Sequence, residues 1–238
     1  MIRERWRLIS DAIGQDIKNG ALESGAKLPT EAELVAIYGT GRHSIRCAVA
    51  ELTKTGFLRV EQGRGTFVQP QPMIDYAIGK RTRLRRNLQE QGVDVGGELL
   101  GSERVPARGR AAKKLGLDRT SLMIVTRRIT YADGVPVSLG ALYHDAARFV
   151  NFPDLLKVLG SVSQVYKSCG IEDYIRGNTS LHARPAKTDE AKKLQQHKDL
   201  PVMVVRKVDT LLDGTPIAFG EVIWSASRVK FSISNDKD

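Results

Sequence analysis

The 238-residue sequence predicts an α+β protein of two domains. A small helical domain closed by a β-hairpin is expected over residues 1–69 and a linker over 70–75. A larger, mainly antiparallel sheet with helices against it is expected over 76–238. Three observations carry this reading. Apolar residues recur at helical spacing through the first fifty or so positions, Gln69-Pro70-Gln71-Pro72 makes an extended break, and the rest of the chain repeats one motif twice.

Trp6, Ile9, Ile13 and Ile17 stand three or four apart and predict an amphipathic helix that ends before Gly20 and Gly25. Thr30 and Glu33 have capping-box spacing, in which the hydroxyl and the carboxylate satisfy free N–H groups reciprocally. A short helix through Leu34, Ile37 and Tyr38 should follow, broken at Gly39-Thr40-Gly41. A third helix starts near Arg42 and buries Ile45, Ala48, Val49 and Leu52, leaving Arg42 and Arg46 four apart on its other face beside His43. Gly56 stops it. Two short helices across a glycine turn predict a helix-turn-helix, whose second helix enters the major groove by its N-terminal end. Arginine suits that end, because its planar fork can bond guanine O6 and N7 together.

Phe57–Val60 and Thr66–Val68 predict two short strands joined by Glu61-Gln62-Gly63-Arg64-Gly65, the hairpin of a winged helix. A phosphate-cradling loop would need a Lys-Ser/Thr step leading into a helix, and neither follows. In order, LPTEAEL, GRHSIRCAVAELTKTGFL and EQGRGTFV resemble the DNA-binding half of GntR-type regulators over roughly residues 3 to 69. The resemblance implies that Arg42 and Arg46 read bases or bind phosphate and that Gln62, Gly63 and Arg64 form the wing tip. Thr30, His43, Ser44, Gly65 and Thr66 complete the expected interface. Two positions depart from the family: Ala32 replaces an arginine that touches DNA in many members, and Gly41 replaces a small hydroxyl residue.

In the second domain Ala112-Lys113-Lys114-Leu115 reappears as Ala191-Lys192-Lys193-Leu194. Pro106-Ala107 is echoed by Pro185-Ala186, and Asp133-Gly134 by Asp213-Gly214. Each copy reads as strand, Pro-Ala corner, short helix and a hairpin turning at Asp-Gly, which tolerates positive φ. A helical stretch ending in glycine precedes each copy, near Leu84–Gly92 and Val162–Gly170. Two such units are expected to pair into one sheet with a ligand crevice where they meet.

This layout resembles the UTRA effector domain of the HutC branch of GntR regulators, which shares its fold with chorismate lyase. The segment DYAIGKRTRLRRNLQEQGVDVGGELL resembles regulators of phosphonate utilisation of the PhnF type. The resemblance implies an arginine on the first hairpin strand that binds the effector's acidic group, with Arg128 favoured over Arg127, and an acidic residue at Glu221. From the residues themselves, Thr82 at a helix start beside Arg81 and Arg83 is an expected anion cradle. Tyr143, His144 and Trp224 are expected at the crevice from their places in the two hairpins.

The charge balance, 37 Lys+Arg against 27 Asp+Glu for a net +10, favours polyanionic partners. Cys47 and Cys169 are too few for a disulfide framework or a zinc site, and no stretch approaches the apolar length of a membrane span. No catalytic triad or cofactor loop accompanies the scattered His43, His144, His182 and His197, which speaks against the rival reading, a lyase-like enzyme. The expectation is a cytoplasmic homodimer without cofactor or metal that binds a palindromic operator and releases it to an anionic effector. Phosphonate, phosphate and sugar phosphate all suit an arginine-lined crevice, and relatives bind carboxylates such as urocanate.

Overall fold

The structure, a computed structural model, describes residues 5–69, 73–196 and 198–233. Pro70, Gln71 and Pro72 of the expected linker, and His197, lie outside the described residues. The described chain divides into two compact units, 5–69 with 195–196, and 73–194 with 198–233.

The first unit runs α1 (Arg5–Lys18), α2 (Glu31–Tyr38), α3 (Arg42–Lys54), β1 (Leu58–Glu61) and β2 (Gly65–Val68). Ile9, Ile13 and Ile17 of α1 are buried against Ile45, Ala48 and Leu52 of α3, with Leu34, Leu58 and Val68 closing the core. The capping box at α2 is present: Glu33 accepts from the Thr30 backbone N–H at 2.7 Å and from its hydroxyl at 2.8 Å. Gly39 ends α2 in the left-handed region at φ 56°, which a side chain would resist. β1 and β2 pair antiparallel from Leu58↔Val68 to Glu61↔Gly65, so Gln62, Gly63 and Arg64 form the hairpin tip.

The second unit starts with β3 (Ile74–Ile78) and α4 (Leu84–Gln89), so β3 begins within the expected linker. The first copy of the repeat follows as β4 (Val95–Pro106), α5 (Gly109–Leu115), β5 (Leu122–Ala132) and β6 (Val135–Asp145). After α6 (Phe152–Leu159) and α7 (Val162–Ser168) comes the second copy: β7 (Ile175–Pro185), α8 (Thr188–Lys193), β8 (Pro201–Thr210) and β9 (Pro216–Ser225). β10 (Val229–Ile233) ends the described chain. The six long strands form one antiparallel sheet in the order β4-β5-β6-β9-β8-β7. The copies therefore meet at one seam, β6 against β9, related by a quasi-two-fold. Asp133 and Gly134 both take positive φ, 48° and 76°, as a tight hairpin requires.

Two features were not expected. β3 pairs in parallel with β10, joining segments from opposite ends of the unit. α6, with Phe152 and Leu156 buried, packs with Val165 and Tyr166 of α7.

Candidate functional site

In the first unit, Arg42, His43 and Arg46 are exposed on α3, while Ser44 is buried at 8% exposure and is turned to the core. The expected Ser44 contact thus falls at a buried position beside Ile45, in the first turn of α3. His43 Nε2 lies 3.6 Å from Cys47 Sγ, one turn on. Arg46 shares a groove of about 870 Å³ with Thr30, Gly63, Arg64, Gly65 and Thr66. Gln62, Gly63 and Arg64 are exposed, and Arg64 pairs with Glu61 at 2.7 Å. The Thr30 hydroxyl is occupied by the capping box.

In the second unit, one face of the sheet carries a cavity of about 170 Å³. Strand register explains its floor. Arg128 on β5 stands opposite Gly140 on β6, Gly140 opposite Val222 on β9, and Val222 opposite Val205 on β8. A neighbouring row runs from Thr126 through Leu142 and Gly220 to Lys207. Each long cation therefore faces a glycine, Arg128 over Gly140 and Lys207 over Gly220, in equivalent places of the two copies. Gly97 on β4 makes further room, because a Cβ there would overlap the Arg128 guanidinium.

The cations differ in their compensation. Arg83 stacks 3.5 Å over the Tyr174 ring and reaches Asp173 at 3.3 Å, and Lys207 pairs with the buried Asp209. Arg176, 9% exposed, donates to the Tyr76 hydroxyl at 2.9 Å, but its Nε and Nη1 are buried without a partner. Arg128 Nε is buried without one as well. Burial, and then the nearby Arg85, push the Arg128 pKa down, and burial does the same to Lys207. No carboxylate is among the described residues lining the cavity. Buried donors without acceptors are costly, so an anion that supplied acceptors would offset that cost.

Of the expected effector residues, Thr82, Arg83, Arg128 and Trp224 line this cavity. The other five do not. Arg81 is half exposed and paired with Asp173 at 2.9 Å. Arg127 points to the opposite face, paired with Glu103 at 2.7 Å, because neighbours on a strand alternate. Glu221 lies on that opposite face too, bound to Arg206 at 2.5 Å, as does Tyr143, which packs on Phe219. His144 is on the cavity's face but beyond it, under α6 and α7. Its ring lies 3.9 Å from that of Phe152, and its Nε2 is 2.9 Å from the Tyr166 hydroxyl. Thr82 does not start α4; Arg83 is its N-cap, and the Thr82 hydroxyl is spent on Gly79. Sequence reasoning missed Arg176 and Lys207. The signal for Lys207 was the repeat itself, since Lys207 answers to Arg128. Arg176 had no such signal.

Burial pushes the His144 pKa down to about 3. The unfolded imidazole titrates near 6.5, so between those values only the unfolded chain takes the proton and stability falls as pH falls. From pH 7 to pH 5 the second unit should lose about 2 kcal/mol more in the native chain than in His144→Phe, read by denaturant unfolding. Equal losses would mean that His144 charges freely in the fold.

The winged fold with exposed cations, followed by a cation-lined cavity on a duplicated sheet, agrees with the matches to known families. Residues 90–230 match the UTRA domain, and residues 7–68 match the bacterial regulatory proteins of the gntR family. The chain is a GntR-family regulator with a UTRA domain. As such it belongs to the HutC branch and to a family of transcriptional regulators, not of enzymes. An HTH-type transcriptional regulator of Rhizobium meliloti is 35% identical to it over 96% of this chain and 93% of its own. The probable transcriptional regulator PhnF of Escherichia coli is 26% identical, covering 97% and 95%. The crystal structure of PhnF from Mycobacterium smegmatis superposes with a TM-score of 0.63, covering all of both chains at 20% identity, which establishes the shared fold. The UTRA match begins after Tyr76 and Arg83, so the regulator's cavity draws on residues outside the matched span.

Proposed function

We propose that this regulator is a repressor that binds a palindromic operator as a homodimer and leaves it when a phosphonate or related phospho anion enters the cavity. The observation that carries the reading is a pair of guanidiniums, the half-buried Arg128 and the buried Arg176, each with buried unpartnered N–H groups, in a cavity lined by no carboxylate among the described residues. A tetrahedral dianion supplies acceptors in the fork geometry that guanidinium prefers. Tyr76 supports a route for coupling. It accepts from Arg176 and lies on β3, the first strand after residues 70–72, so an anion at Arg176 acts on the strand that receives the linker.

The test is binding of the full chain to DNA upstream of its own gene, with and without ethylphosphonate, phosphate and sugar phosphates. Release by one of these anions is expected, and operator DNA must weaken anion binding by the same factor. Independent binding of DNA and anion would reject the mechanism. On the DNA side, Arg46→Ala should cost about 1–3 kcal/mol of operator affinity and relax base preference at one position in each half-site. Unchanged affinity in a mobility-shift titration would remove Arg46 from the interface.

A further inference from the structure

We propose that the effector is a compact phospho anion on a short apolar body, carrying neither an amino group nor a sugar ring. The inference rests on the anion reading above and deepens it. Its starting point is what the cavity lacks. Among the described residues that line it there is no carboxylate, no carboxamide and no imidazole.

An ammonium group on the ligand would therefore find no anionic acceptor. It would also enter the field of Arg85, Arg128 and Arg176, which lack the counter-charges that Asp173 and Asp209 give to Arg83 and Lys207. A like charge at that range is repelled, and more strongly where water is excluded. A sugar ring meets a different obstacle. Its hydroxyls need acceptors, which cationic side chains cannot be. Of the Ser and Thr hydroxyls at the cavity, Thr82 is engaged with Gly79 and Ser163 with Tyr174 at 2.8 Å, and those of Thr126, Thr130, Ser138 and Ser161 lie outside the Arg128–Val222 row over which the ligand body would rest.

The floor shows what would fit instead. Across four strands it reads Arg128, Gly140, Val222, Val205: a charged end, a bare stretch of backbone, then two valines. Leu142 and Trp224 flank the row. An anion held at Arg128 would lay the rest of the ligand over Gly140 and Val222, a row with no polar side chain, bordered by Leu142 on one side and by Ser138 and Trp224 on the other. The volume, about 170 Å³, is close to that of an apolar cavity of about 150 Å³ that takes benzene.

Calorimetry of the full chain with five probes tests this: ethylphosphonate, phenylphosphonate, 2-aminoethylphosphonate, glucose 6-phosphate and inorganic phosphate. The first two are expected to bind at least tenfold more tightly than the other three. Binding of 2-aminoethylphosphonate or glucose 6-phosphate as tight as that of ethylphosphonate, and lost in Arg128→Ala, would overturn the inference and leave the anion reading standing. Inorganic phosphate binding as tightly as both organic phosphonates would overturn it too, because the apolar floor would then contribute nothing. If none of the five binds, the anion reading fails and takes the inference with it. A gain-of-function arm adds Val222→Asp, which places a carboxylate on the floor and should move the preference toward 2-aminoethylphosphonate. Should that variant not fold, the five-probe series on the unmodified chain decides alone.

Discussion

Replacing Arg128 by alanine should abolish the response to effector while leaving operator affinity unchanged. Removing one member of a buried charged contact costs about 2–5 kcal/mol, a factor of roughly thirty to several thousand in affinity. Arg128 belongs at the upper part of that range, because its Nε has no protein partner to share the anion with. The same fact predicts the sign of the effect on stability. Without effector, a half-buried guanidinium with an unpartnered Nε opposes folding, so Arg128→Ala should unfold no earlier than the native chain on heating. Calorimetry, melting and an operator titration with effector separate these outcomes. A variant still released normally from DNA would place the anion elsewhere.

Gly97→Val should do nearly the same damage from a strand away. The guanidinium of Arg128 occupies the space a Cβ at Gly97 would need, and no flexible neighbour can yield except Arg128 itself. Gly97 lies in the regular part of β4, paired with Thr130, where valine is favoured by strand geometry. The sheet should therefore form, with Arg128 displaced and effector affinity reduced at least tenfold. The decisive comparison is the double variant with Arg128→Ala, which should bind effector no worse than Arg128→Ala alone. Additive losses would mean that Gly97 acts through something other than the arginine.

What could be read in advance follows from how local each signal is. The capping box at Thr30 and Glu33, the glycine stop after Tyr38 and the Asp133-Gly134 turn are each specified within four residues. The structure keeps all three. The repeat was legible over a longer range because its two copies carry the same punctuation, and the two units it marks do pair into one sheet, with the seam between β6 and β9 supplied by the structure. The parallel pairing of β3 with β10 left no trace, since each strand is five residues long and their partnership depends on everything between them. The candidate site divided along the same line. Arg128 was favoured over Arg127 by the family resemblance, and Trp224 was expected from its place in the second hairpin. His144 has the correct parity but is covered by α6, whose existence the residues before it did not announce. Arg176 reaches the cavity from β7 at the sheet's edge, and only the assembled register brings it there.

The pairing of β3 with β10 also sets an order of events at the ribosome. β3 leaves the exit tunnel early, directly after the first unit, yet its strand partner among the described residues is made after the whole six-stranded sheet. Until then Tyr76 has no Trp224 or Phe231 to pack on, and the cavity has no completed wall. A nascent chain thus exposes β3 without its partner for as long as the six-stranded sheet takes to emerge, and the wall at Tyr76 is the last part of the cavity to close.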